Sequence, residues 1–233
     1  MILEANLKKS TLALSALTLA LAAGLSACGG GTTSYTIGGV VRGLEYGPLI
    51  LVTNGMEVSI QPQKDAQGRP LPVSYSFPNQ LEYGEAYDVT LKQIGTDAAG
   101  NPIYQYPPHQ VCGVSRELGT STRDTAGRLS VVNADFVCAL TSNTIGGKIT
   151  GLAADGLVLN NGSNSKAAIV KDATTGAYPT TFTFSDAVTY GQTYGVTVLK
   201  QPTGQTCTIK NGAGEMKDDP VTSIEVTCVN NPV

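Results

Sequence analysis

The chain has 233 residues, of which 14% are charged, and its formal net charge is −3. Lys and Arg form no cluster, so the electrostatic footprint of a nucleic-acid binder is missing. Gly, Thr, Ser, Asn and Val are plentiful and Trp is absent, which is the composition of a turn-rich β-protein rather than a helical one.

The N-terminal segment reads as an export address. Lys8 and Lys9 give a positive start, residues 11–25 carry no charge, and Leu25-Ser26-Ala27 supplies small residues. The apolar run falls short of the ~20 residues a spanning helix needs, although an uncleaved N-terminal anchor is the alternative. Cys28 follows at once. Leu25-Ser26-Ala27-Cys28 resembles the lipobox of bacterial lipoproteins. The resemblance implies that residues 1–27 are a removed signal peptide, that the Cys28 sulfur carries diacylglycerol, and that the new amino end is acylated by a palmitate-like chain. Two or more acyl chains hold a protein stably on a bilayer where one does not. The expected partner of Cys28 is therefore the lipid bilayer. Gly29, rather than Asp, resembles the outer-membrane sorting signal of Gram-negative lipoproteins.

Loss of Lys8, Lys9 and Glu4 leaves 13 basic against 17 acidic side chains, a net charge of −4. No polybasic stretch remains, so attachment rests on the acyl chains. Residues 28–34 form a Gly-rich tether that spans about 25 Å at full stretch. That keeps whatever follows close to the headgroups.

From residue 35 the chain repeats itself. Thr36-Ile37-Gly38-Gly39 returns as Thr144-Ile145-Gly146-Gly147, and Gly43-Leu44 returns as Gly151-Leu152. Leu49-Ile50-Leu51 matches Leu157-Val158-Leu159, and Asn54-Gly55 matches Asn161-Gly162 one residue out of step. Phe77, Tyr83, Gly84, Tyr87, Val89 and Thr90 map in order onto Phe184, Tyr190, Gly191, Tyr194, Val196 and Thr197. Two tandem domains follow, 35–141 and 142–233.

Each unit is written in strands. Asn54-Gly55 between two apolar runs predicts a tight hairpin, and Asn161-Gly162 predicts a second with a longer loop. Tyr194, Val196 and Val198 fall on one strand face. Ala134, Phe136 and Cys138 share a face, as do Ile224, Val226 and Cys228. The expected fold class is all-β: two tandem small β-sandwiches after the signal peptide. Leu81-x-x-Gly84-x-x-Tyr87-x-Val89 resembles the tyrosine corner of immunoglobulin-like and fibronectin-type domains. That resemblance implies that Tyr87 and Tyr194 bury their rings and send their hydroxyls to nearby backbone. The same stretch also resembles prealbumin-like modules, which differ in strand order.

The remaining four cysteines allow three pairings. Each copy owns two at the same end of the unit, which selects Cys112–Cys138 and Cys207–Cys228. Export places the chain where such bonds persist. A four-thiolate metal site would need closer cysteine spacing, and no metal or cofactor is expected.

His109 is the single histidine. It lies in Tyr104-Gln105-Tyr106-Pro107-Pro108-His109, where the prolines predict an extended loop. No Gly-x-Ser-x-Gly, paired histidines or phosphate-binding glycine pattern occurs. Asp97, Asp124 and Asp218-Asp219 fall in loops without the calcium-loop spacing. No catalytic set emerges, and the expectation is a protein that is not an enzyme. Tyr87 to Cys112 spans 25 positions and Tyr194 to Cys207 only 13. An insertion, clearest over 97–110, thus marks the first copy. Its Tyr104, Tyr106 and His109 form the candidate contact surface for a glycan, peptide or protein, against the plainer reading of a tolerated surface loop.

The second copy, with GLVLNNG, FTF, YGQTYGVTVLKQPTGQTC and a final VTC, resembles a repeat of exported bacterial lipoproteins, notably of betaproteobacteria. The first copy is a divergent version without QP-x-GQ-x-C. The resemblance implies no activity; such units often serve as stalks. The expected role is a membrane-anchored envelope lipoprotein acting as a structural or protein-interaction module.

Overall fold

The computed structural model describes residues 33–117, 119–128, 132–162 and 165–232. The expected signal peptide, Cys28 and nearly all of the expected tether lie outside them. The described chain is strand and turn throughout, and it holds two separate hydrophobic cores.

The first half runs through β1 (Ser34–Tyr35), β2 (Gly38–Arg42), β3 (Leu49–Thr53), β4 (Met56–Ile60), β5 (Gln63–Lys64), β6 (Pro70–Leu71) and β7 (Val73–Ser76). It continues through β8 (Leu81–Glu82), β9 (Ala86–Asp88), β10 (Thr90–Leu91), β11 (Gln93–Thr96), β12 (Pro102–Tyr104), β13 (Gln110–Val114), β14 (Arg123–Thr125) and β15 (Phe136–Leu140). The second half holds β16 (Ser142–Asn143), β17 (Ile145–Thr150), β18 (Val158–Asn161), β19 (Ser165–Ala168) and β20 (Thr181–Thr183). It ends with β21 (Val188–Thr189), β22 (Thr193–Lys200), β23 (Gln205–Lys210), β24 (Ala213–Glu215) and β25 (Val221–Asn230).

The two halves have the same wiring. One sheet runs β13-β15-β2-β7 in the first and β23-β25-β17-β20 in the second. The facing strands are β10-β3-β4 and β19-β18-β22-β24. The small pairs β1/β8 and β9/β14 recur as β16/β21 and the β22/β24 contact. In both halves the first long strand runs parallel to the last, β2 to β15 and β17 to β25. Immunoglobulin order would keep the first, second, fifth and fourth strands in one sheet. Here the first and fourth join the sixth and seventh. The observed strand order therefore differs from the immunoglobulin one.

The repeated glycine pairs follow from that wiring. β2 is flanked on both sides, and backbone crowds it. A Cβ on Gly38 would lie 2.4 Å from the Tyr75 carbonyl oxygen, and one on Gly39 2.4 Å from that of Ala134. In β17 the corresponding distances are 2.3 Å from Phe182 at Gly146 and 1.9 Å from Ile224 at Gly147. No side chain fits at these positions, so the motif recurs.

Strand periodicity builds the cores. In the β3/β4 hairpin, Leu49, Leu51 and Thr53 face inward opposite Ile60, Val58 and Met56. Asn54 and Gly55 turn it with φ of 47° and 73°, as a two-residue primed turn requires. Tyr75 and Phe77 meet edge-on at 5.9 Å, and Phe182 and Phe184 do the same at 5.9 Å.

Both cystines are cross-strand staples. Cys112 lies directly opposite Cys138 on β13 and β15, and Cys207 opposite Cys228 on β23 and β25. They lie within one sheet, unlike the inter-sheet bridge of antibody domains. Closing loops with separations of 26 and 21 residues stabilises each half by about 3 kcal/mol on a chain-entropy argument.

The insertion holds a hairpin, β11 paired with β12, ahead of the proline-bearing residues 105–109, which lie in no strand. The corner tyrosines depart from the motif. Tyr87 buries its ring, but its hydroxyl has no partner in full hydrogen-bonding geometry, and the nearby Ser121 hydroxyl gives it a weak interaction only. Tyr194 is half-buried. The hydroxyl that reaches across to backbone belongs to Tyr75, which donates to the Ala134 carbonyl at 2.5 Å.

Candidate functional site

The insertion residues take separate places. Tyr104 packs half-buried against the first core. Tyr106 is 42% exposed. His109 turns away into the joint between the two sandwiches, where one connecting residue, Thr141, separates β15 from β16. The three thus have different surroundings: core, solvent and joint.

The joint gathers polar and aromatic side chains from both sandwiches. His109 takes a left-handed backbone with φ of 60°. The Thr141 N–H donates to the His109 carbonyl at 2.9 Å, and the Tyr190 N–H donates to the Thr141 carbonyl at 2.8 Å. Both are main-chain bonds.

Side chains close the rest. His109 Nδ1 lies 2.7 Å from Asp218 Oδ2. The imidazole stacks on Tyr190 with centroids 3.9 Å apart and planes 10° apart. Tyr46 meets both rings edge-on, at 5.0 Å to His109 and 6.0 Å to Tyr190. Thr141 Oγ1 sits 3.3 Å from the His109 carbonyl and 3.3 Å from Asp218 Oδ1. Asn143 Nδ2 donates to the carbonyls of Lys217 and Asp218, at 3.2 and 2.7 Å.

Two lysines frame the cluster. Lys217 Nζ lies 5.8 Å from the Tyr190 ring centre and Lys64 Nζ 5.4 Å from that of Tyr46, within cation–π range. The hydrogen bond from Lys217 to Glu215, 2.6 Å long, holds the ammonium above the usual lysine range. The tyrosine edges, the aligned stack and the carboxylate together surround a ring that can carry positive charge.

A His–Asp pair is also part of a hydrolytic triad. Among the described residues the neighbouring hydroxyl, Thr141 Oγ1, faces the His109 carbonyl and Asp218 rather than the far ring nitrogen. Among the described residues no three side chains of His, Cys, Asp or Glu gather as a metal site. Asp97 accepts from the N–H groups of Ala99 and Asn101 and from the Asn101 side chain, so its oxygens serve a turn. A shallow cleft of about 390 Å³ runs along β19 and β20, lined by Lys166, Val170, Pro179, Thr181 and Phe182. It offers no acid–base pair.

Sequence reasoning missed Tyr46, Asn143, Thr141 and Lys217 altogether. It placed Tyr190 in a structural corner and Asp218 in a loop. No motif joins residues 109, 190 and 218; only the fold does.

No protein-family model matches the chain, and neither does any curated protein. Among solved structures, the chain is similar to the major pilin protein (T-13) of Streptococcus pyogenes, at 12% identity over 86% of this chain and 98% of that one, with a TM-score of 0.25. A superposition that loose carries no argument.

Proposed function

We propose that the protein is a non-catalytic envelope lipoprotein: two disulfide-closed sandwiches in series, tethered through Cys28 to the outer membrane, that hold a fixed spacing or present a protein-binding surface. The observation that supports this reading best is the joint. A single residue links the domains, and His109 and Thr141 on one side meet Tyr190 and Asp218 on the other. A spacer needs domains that do not swing freely, because relative motion is the default between linked domains with small interfaces. Two cystines suit an oxidising compartment, and the L-S-A-C stretch supplies the anchor.

The alternative is a glycan- or peptide-binding module in the first domain. Its surface would be the β11/β12 hairpin, where Ile94, Ile103 and Tyr106 are exposed, rather than a cluster of Tyr104, Tyr106 and His109.

Intact mass of the full-length protein, purified from the host membrane fraction, tests the main reading. The expected mass lacks residues 1–27, carries acyl chains and lacks four thiol hydrogens. Cys28→Ser should lose the acyl mass and leave the membrane fraction. Retention of Met1 without lipid, or unchanged sedimentation of the Cys28→Ser protein with membranes, defeats it.

A further inference from the structure

The chain has one histidine, and it is spent on the contact between domains. Histidine is the side chain that changes charge between about pH 5 and 8. We infer that the joint between the sandwiches is a pH-sensitive clasp, closed more tightly when the His109 imidazole is protonated. This rests on the spacer reading for its purpose and deepens it.

The geometry supplies the sign. Asp218 Oδ2 lies 2.7 Å from Nδ1. A charged imidazolium there forms a charge-assisted hydrogen bond, about twice as strong as a neutral one. The stacked Tyr190 ring and the edge-on Tyr46 ring belong to opposite domains. Both contact the imidazole, and the Tyr190 face also favours a cation. Loss of the proton weakens the pair and leaves a neutral stack.

Other charges near the cluster are Lys217 over Tyr190, Lys64 over Tyr46, Glu45 beside Tyr46, Asp219 beside Asp218, and Glu215, which pairs with Lys217. Lysines keep their charge across this window. So do ordinary carboxylates above about pH 5. Histidine is the residue type among these whose ordinary value falls inside that window. With 28% side-chain exposure for His109 and 51% for Asp218, protons reach both without unfolding.

Main-chain bonds at the joint report the clasp. Hydrogen exchange of the Thr141 and Tyr190 amides, in the full-length protein, is measured at about pH 5.5 and about pH 7.5. Rates are corrected for intrinsic exchange and compared with the Phe77 and Phe184 amides, which hydrogen-bond inside each sandwich. The expected result is a several-fold loss of relative protection at the higher pH. Asp218→Asn and His109→Gln should remove that pH dependence while leaving the Phe77 and Phe184 amides protected. Equal protection at both pH values in the natural protein overturns the clasp and leaves the spacer standing, and so does an unaltered pH response in Asp218→Asn. Thr141 and Tyr190 amides that are unprotected at both pH values overturn the clasp and the spacer together.

Discussion

Gln110 and Gln205 make the same three hydrogen bonds in the two sandwiches. Gln110 Oε1 accepts from the N–H groups of Glu45 and Tyr46 at 2.8 and 2.9 Å, and its Nε2 donates to the Gly43 carbonyl at 2.7 Å. Gln205 Oε1 accepts from Ala153 and Ala154 at 2.8 and 3.1 Å, and its Nε2 donates to Gly151 at 2.8 Å. Each is nearly sealed from water, 2% and 4% exposed. Each lies two residues before the first cysteine of its pair. The amide closes the turn that follows the first long strand, where Gly43 and Gly151 take left-handed conformations with φ of 72° and 76°.

Removing that amide leaves three part-buried backbone groups without their side-chain partner. Gln205→Ala should therefore cost roughly 2 kcal/mol, since a typical hydrogen bond contributes about 0.5–1.5 kcal/mol net and water reaches part of the gap. Denaturant unfolding of the second domain reads this. Gln201→Ala is the comparison: its side chain bonds only the Cys207 backbone, and the loss should be smaller.

The glycine pairs give a sharper test of the wiring. Gly147→Ala would place a methyl group 1.9 Å from the Ile224 carbonyl oxygen, so β17 and β25 would have to separate. The expected loss is about 3 kcal/mol or more, the upper end of overpacking costs. Gly113→Ala, in β13, meets nothing within 4 Å and should be close to neutral. Equal effects of the two changes, by thermal or denaturant unfolding, would show that the parallel contact is not as close as described.

Much of this fold is legible in the chain because it is written twice. The Gly38-Gly39 and Gly146-Gly147 pairs, the Phe77 and Phe184 positions and the Asn54-Gly55 turn recur because the same backbone contacts recur. Gln110-Val111-Cys112 is the end of the Q-x-C pattern surviving in the first copy, and counting back from Cys112 would have found it. The joint was not legible. His109, Tyr190 and Asp218 belong to three separate turns, and contacts between repeats follow no rule internal to one repeat. Strand order was hidden for a related reason: immunoglobulin-like and prealbumin-like units carry the same alternation and the same turns, and they differ in which edges meet. The hairpin in the insertion could have been read from Asp97-Ala98-Ala99-Gly100-Asn101-Pro102, which echoes Asp65-Ala66-Gln67-Gly68-Arg69-Pro70 at the β5/β6 turn.

Those two turns should respond to acid. Backbone and side-chain hydrogen bonds from Arg69 hold the Asp65 carboxyl below the usual carboxylate range, and the Asn101 side chain and backbone do the same for Asp97. A depressed folded-state value stabilises above the unfolded value and is lost as pH falls through the folded one. The β5/β6 and β11/β12 hairpins are therefore expected to fray below about pH 4. Amide exchange at Arg69 and Asn101 measures it. Asp97→Ala should fray β11/β12 at neutral pH already, while the first domain's unfolding midpoint stays close to its original value, because both residues are on the surface.

Tyr75 and Tyr87 should behave oppositely when their hydroxyls are removed. Both rings are buried, and burial raises both phenols above the usual tyrosine range, with the Asp135 charge adding to the effect at Tyr75. Tyr75 donates to the Ala134 carbonyl, so Tyr75→Phe gives up a buried hydrogen bond and should cost about 1 kcal/mol. The Tyr87 hydroxyl lacks a well-formed partner. Tyr87→Phe removes a desolvated group without breaking a strong bond and should be neutral or slightly stabilising. The pH dependence follows from the raised values. The folded state keeps these protons while the unfolded chain loses them above about pH 10, so stability is intact below that and falls as pH rises further. Tyr75→Phe should flatten that alkaline decline, and denaturant midpoints at neutral and alkaline pH measure it. A loss on Tyr87→Phe as large as that on Tyr75→Phe would mean that the corner hydroxyl does find a backbone partner, as the sequence motif implies.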